Sequence, residues 1–146
     1  MTVVQNGPLV AALVATVVAQ LLKLVIVGAS ERRFAPDRLL ETGGMPSSHS
    51  AAVTALALAM GLEQGWSSPF FALAAVLAGI VMYDATGIRR AAGMQAQMIN
   101  DLVEELGHLF DAGFQPQALK TLLGHTYPQV LVGAVVGFAT AMVLAL

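Results

Sequence analysis

The chain contains no cysteine. That excludes a disulfide framework, a thiolate nucleophile and any cysteine-ligated zinc or iron–sulfur centre. Charge is scarce too: Asp, Glu, Lys and Arg make up 11% of the 146 residues, against about 25% in an average soluble protein. So little charge cannot cover a globule. With 57% hydrophobic residues and a mean hydropathy of +0.75, the chain reads as an integral membrane protein. A net charge of -2 argues against a nucleic-acid partner, which would require a basic face. Residues 1–7 lack a basic n-region, so the first apolar run is expected to stay as a span rather than be cleaved. No long-period repeat, low-complexity tail, D-x-D motif or H-x-x-E-H motif is present. No cofactor and no metal are therefore expected. The length suits one domain, a single membrane unit over 1–146.

Hydropathy then divides the chain into an all-α membrane fold. Four main transmembrane helices are expected, near residues 8–27, 47–62, 69–83 and 128–146, with an amphipathic helix at 91–110 between the third and fourth. The second is short in its apolar part, 51–62, so its polar first turn should face a cavity rather than lipid. Ala51, Ala55 and Ala59 form a stripe for close helix contact, as do Gly133 and Gly137. In the amphipathic stretch, Met94, Met98, Leu102, Leu106 and Leu109 oppose Asp101, Glu104, Glu105 and His108. This helix suits the membrane surface, the rest of the protein, or a second copy in a homo-oligomer. A turn at 111–117 and a short helix before Leu123 are expected to lead into the last span.

The polar residues are unevenly placed. With four spans, the connectors 28–46 and 84–127 share one side, together with Lys23, Arg32, Arg33, Arg38, Arg89, Arg90, Lys120 and all three histidines. The positive-inside rule makes that side cytoplasmic. Gln20 and Lys23 share a helix face near the end of the first span, and a lysine inside a span marks a functional site. Residues 41–50 (ETGGMPSSHS) supply two glycines for a tight turn, Pro46 where a helix begins, and the cap-type Ser47, Ser48 and Ser50 beside His49. A helix N-terminus with hydroxyls and an imidazole is a receptor for phosphate. Asp84 is placed to hold an arginine of the Arg89-Arg90 pair while that arginine faces the anion. Asn100 and Asp101 are weaker metal-ligand candidates. Cations that grip the equatorial oxygens, one histidine to attack phosphorus and another to protonate the leaving oxygen are what phosphoryl transfer requires.

Pro46-Ser47-Ser48-His49 resembles the PSGH motif of the type 2 phosphatidic acid phosphatase superfamily. Leu123-Gly124-His125-Thr126 and the Val130-Leu131-Val132-Gly133-Ala134 that follows look like its last motif. Together with Tyr83-Asp84-Ala85-Thr86-Gly87-Ile88-Arg89-Arg90, these blocks are similar to its divergent branch of small membrane proteins, labelled acid phosphatase/vanadium-dependent haloperoxidase-related. The resemblance implies His125 as nucleophile and His49 as general acid. It also implies Lys23, Ser47 and Ser48 around the phosphate; the residues themselves add Arg89 and Arg90 there, with Gln20, Asp84 and Gln129 in support. The chain departs from the superfamily pattern at three places. Ser30-Glu31 stand where Arg-Pro is expected, Leu119 stands in place of the Ser-Arg arginine, and Gln129 stands where an Asp orients the imidazole. Glutamine accepts a hydrogen bond from the ring but cannot stabilise an imidazolium by charge.

The expected function is metal-independent hydrolysis of a phosphate monoester, on a lipid or prenyl chain or a small ester, through a phosphohistidine. The expected location is a bacterial inner membrane, with the bilayer itself as partner. Two alternatives use the same residues: a non-catalytic module that binds phospholipid or another anion, and an anion transporter subunit.

Overall fold

In the computed structural model of the chain, the structure describes residues 5–31, 43–107 and 117–145. The expected site or connector residues Arg32, Arg33, Arg38 and His108 lie outside them. The described residues form helices joined by irregular segments, with no strand among them. Five helices follow in order: α1 (Gly7–Glu31), α2 (Ser48–Gln64), α3 (Pro69–Thr86), α4 (Ile88–Glu105) and α5 (Tyr127–Ala145). Three stretches, Gly7–Ala29, Pro69–Glu105 and Tyr127–Ala145, are long and apolar enough to cross a membrane. This is a membrane protein. α2 falls short of that length: its 17 residues rise about 26 Å, against roughly 30 Å of hydrocarbon.

Local chemistry explains where the helices begin. The Asn6 side chain accepts from the Leu9 N–H at 3.1 Å. Ser68 caps α3 through the Phe70 N–H at 3.1 Å, with Pro69 in the first turn. Gly65, at φ 86°, ends α2, and Trp66 then packs edge-on against Phe71 with ring centroids 5.1 Å apart. α2 thus runs past the expected loop start at Gly61, and only 65–68 connect it to α3.

Small side chains determine how the helices pack. α2 touches α1, α3 and α5, and α1 and α5 also meet. On α1, Ala11, Ala15 and Ala19 recur every fourth residue; on α2, Ala51, Ala55 and Ala59 do the same; all are buried. On α5 the stripe is Gly133, Gly137 and Ala141, also buried. A methyl added at Gly133 would collide with the Ser47 carbonyl, and one at Gly137 with the Ala51 carbonyl. The α2 and α5 backbones therefore lie in direct van der Waals contact, and small residues allow that approach. Large apolar side chains such as Leu13, Leu73, Ile80, Leu131 and Val143 are exposed instead, as expected of surfaces that face lipid. One turn further towards the polar end, each stripe reaches a polar residue: Lys23, Ser47 and Gln129. The packing that holds the bundle together thereby fixes these three against one another.

α4 packs on α3 and has Met94, Met98 and Leu102 exposed. Its start at Ile88, directly after Gly87, is earlier than expected. The short helix expected before Leu123 is not there. Residues 117–126 instead run beside α4 as an irregular strap. The Asn100 side chain clamps the strap's backbone, donating from Nδ2 to the Leu119 carbonyl and accepting from the Leu119 N–H, both at 2.9 Å. That two-way bond replaces the hydrogen bonds a helix would have made. It also gives Asn100 a structural task in place of the metal-ligand role weighed from sequence. Gly93 fits beneath the Thr121 and Leu123 carbonyls, where an added Cβ would lie 2.7 and 2.9 Å away.

Candidate functional site

Three helices begin at one end of the bundle: α2 and α5 pack on each other there, while α4 packs on α3. α2 starts after Gly44 (φ 92°) and the cis Met45–Pro46 peptide. Pro46 lies at the helix boundary as expected, just before the cap, and Ser47 is the N-cap. The fully buried Ser47 accepts from the Ser50 N–H at 3.3 Å and from the Ser50 hydroxyl at 3.0 Å. Its own N–H donates to the Gln129 carbonyl of α5 at 3.1 Å. Ser48 is buried in the first turn of α2.

α5 begins with a capping arrangement read directly from Thr126-Tyr127-Pro128-Gln129, in which the side chain three residues into the helix returns to the cap's N–H. Gln129 Oε1 accepts from the Thr126 N–H at 3.0 Å and lies 3.3 Å from His125 Nδ1. A backbone N–H only donates, so the Thr126 bond fixes which end of the amide faces the ring. The neutral imidazole must then carry its proton on Nδ1 to bond the same oxygen, and the lone pair is on Nε2. The backbone of His125 is held as well: its N–H donates to the Ala85 carbonyl in the last turn of α3 at 2.8 Å.

α4 supplies the arginines. Arg89 Nε bonds Asp84 Oδ2 across the α3–α4 break. Arg89, His49, His125, Val81 and Ala85 line one small pocket. Arg90, one residue on and about 100° around the helix, lines a groove of about 200 Å³ on another side of His125, together with Gly44, Gln97, Thr126 and Gln129. Gly124, at φ 77°, backs onto the Arg89–Arg90 backbone so closely that any side chain there would collide.

Lys23 completes the set from α1. It is 2% exposed, and its methylenes lie 3.6–3.9 Å from where a Gly44 side chain would begin. Its charge acts on both His49 and His125, and that of Arg89 on His49. His125 itself is 4% exposed. Its pKa lies below the ordinary 6.5, first because burial penalises the cation and then because Lys23 and His49 repel it. The hydrogen bonds with Gln129 and the Gly44 backbone oppose that shift. The ring is therefore neutral at pH 7. The structure thus brings Lys23, Ser47, His49, Arg89, His125 and Gln129 to one end of the bundle, with Asp84 bonded to Arg89, and sets Arg90 apart from His49. Gln20 is half-buried on α1, one turn before Lys23.

Sequence reasoning missed Asn100 as a clamp and Ala85 as an anchor. The first left a signal, because Gly93 and Asn100 are two turns apart on one face of α4. The second works through a backbone carbonyl and left none. A larger cavity, about 470 Å³, lies at the opposite end among Val10, Ala59, Leu62, Glu63 and Ala145. It has no histidine and no cation, so it lacks the chemistry gathered around His125. Among the described residues no group of three or more His, Cys, Asp or Glu comes together.

A family model described as the Divergent PAP2 family matches residues 4–140. The chain belongs to that family. The match includes every residue placed around the site. YuiD of Bacillus subtilis (strain 168), an uncharacterized membrane protein, is 42% identical to this Divergent PAP2 chain, over 99% of it and 98% of the relative. No solved structure matches the chain.

Proposed function

We propose that this protein is a membrane phosphatase that hydrolyses a phosphate monoester, on a lipid or prenyl chain, through a phosphohistidine. In this reading α1, α2, α3 and α5 are the spans, α2 being the short one, and α4 lies at the interface. The site opens at the cytoplasmic face of a bacterial inner membrane. One observation carries the proposal: Arg89, His49 and His125 share a pocket within the electrostatic reach of the buried Lys23. The first turns of α2, α4 and α5 add positive dipole ends at the same place. Arginines in the first turn of a helix oppose the dipole preference, and an anion at that position offsets the conflict.

The chemistry follows from the tautomer. His125 Nε2 attacks phosphorus while the ester P–O bond breaks, and the leaving oxygen takes a proton from His49. Water then attacks the phosphohistidine, giving its proton to His49 as the N–P bond breaks, and inorganic phosphate leaves. Lys23 and Arg89 hold the equatorial oxygens throughout, with Asp84 orienting Arg89.

A second reading rests on Gln129. A neutral amide behind His125 favours holding an anion over stabilising an imidazolium, which suits a binding module. The purified protein in detergent, given a panel of lipid and prenyl phosphates, separates the two. Phosphate release that His125→Ala abolishes while the fold persists supports the phosphatase. Saturable binding without release supports the module. Release unchanged in His125→Ala overturns the assigned nucleophile.

A further inference from the structure

His125 is flanked by two concavities, and each has its own arginine. The small one holds His49 and Arg89. The other, about 200 Å³, holds Arg90 and Gln97 among glycines. The two arginines differ in their bonding. Arg89 is tied to the Asp84 carboxylate, whereas Arg90 makes no ion pair or hydrogen bond among the described residues. This exposed guanidinium, uncompensated among the described residues, sits in the first turn of α4 at the positive end of the helix dipole, where a negative group would be favoured.

The walls of this groove are built for close approach. Gly44 and Gly124 both have positive φ, Gly93 lies under the strap's carbonyls, and Gly124 lies against the Arg90 backbone. With Gly43 they line the groove beside Met94, Leu122 and Leu123. The polar groups that remain are Arg90, Gln97, Thr121, Thr126 and Gln129. This lining and volume suit a small charged group and not an acyl chain. Because consecutive helical residues point about 100° apart, Arg89 and Arg90 can grip two groups with His125 between them.

We propose that the Arg90 groove is a second anion subsite, so that the preferred ligand carries a phosphoryl group and, a few bonds away, a further anionic group, carboxylate or phosphoryl. The inference rests on the phosphate-binding reading of the His125 pocket but not on turnover. Arg90 is then the residue that sets specificity, and Arg89 the one that holds the phosphoryl group common to every ligand.

Equilibrium binding to the detergent-purified full chain tests this without catalysis. The probes are ethylphosphonate, with one anionic group, and 3-phosphonopropionate and methylenediphosphonate, each with two. Native protein is expected to bind one or both dianionic-group probes roughly tenfold or more tightly than ethylphosphonate, the scale of a hydrogen-bonded charge pair. Arg90→Gln should erase that advantage and leave ethylphosphonate affinity unchanged, while Arg90→Lys restores part of it. Arg89→Gln should weaken all three probes together. Equal affinities in native protein, or an Arg90→Gln loss shared equally by ethylphosphonate, would overturn the subsite. Failure to bind any phosphonate would overturn it along with the phosphate pocket. A retained Arg90-dependent preference in a protein that releases no phosphate would reject the phosphatase and leave the subsite standing.

Discussion

Replacing Gly133 with alanine adds one methyl at the closest contact between α2 and α5. That methyl would sit less than 3.0 Å from the Ser47 carbonyl oxygen, whereas ordinary contact begins at 3.4 Å. The obstacle is backbone, so no rotamer change relieves it. The helices must part by more than about 0.4 Å, the difference between those two distances, and inserting a methyl into a packed core costs about 1–3 kcal/mol. The same displacement pulls the Ser47 N–H away from the Gln129 carbonyl, now at 3.1 Å. Phosphate-analogue binding should therefore fall along with stability. Gly79 on α3 provides the control, because nothing lies within 4 Å of a Cβ added there. Gly79→Ala should be neutral or stabilising by about 0.5–1 kcal/mol, the ordinary gain from replacing a mid-helix glycine. Unfolding in mixed micelles with increasing dodecyl sulfate measures both variants. Equal stability of the two, or native stability and native anion affinity in Gly133→Ala, would refute the argument that backbone contact between α2 and α5 sets the site.

Other expectations concern the site and the strap. Phosphate release should fall as the medium is acidified through the His125 pKa, below 6.5, because the attacking ring must be neutral, and fall again on the alkaline side as His49 loses the proton it must donate. Gln129→Glu should raise that pKa, shifting the acid limb to higher pH as seen in a pH–rate profile. It should also raise turnover at pH 8 by about tenfold, the difference between a neutral and a charge-assisted hydrogen bond; an unshifted limb would refute the assigned contact. Asn100→Ala removes two 2.9 Å bonds and should cost about 1–2 kcal/mol. Faster hydrogen exchange at 117–126, with α1 and α2 unchanged, would show that the loss is local to the strap.

Much of this organisation was legible in the sequence because it rests on periodicity. Apolar runs mark α1, α3 and α5, and residues repeated every fourth position mark the stripes that bind them. The brevity of α2 followed from the polar Ser47–Ser50 turn. A bond from Asp84 to one of the two arginines followed from charges set close on either side of Gly87, and the structure selects Arg89. What escaped notice works through the backbone. Ala118, Leu119 and Lys120 are good helix formers, yet Asn100 holds Leu119 from another helix, a tertiary contact that overrides propensity. The Thr126–Gln129 capping bond also went unread, and it explains why Gln129 faces His125. Two arginines adjacent in sequence read as one cluster, and only the helix geometry separates them.

The central claim is that helices packed through alanine and glycine deliver Lys23, His49, Arg89 and His125 to a single anion. A crystal structure of the protein soaked with orthovanadate tests it most directly. The expected result is vanadium bonded to His125 Nε2, its oxygens within hydrogen-bonding distance of Arg89 and Lys23, and His49 opposite the histidine bond. Vanadate bound elsewhere, with His125 and His49 facing different regions, would contradict it.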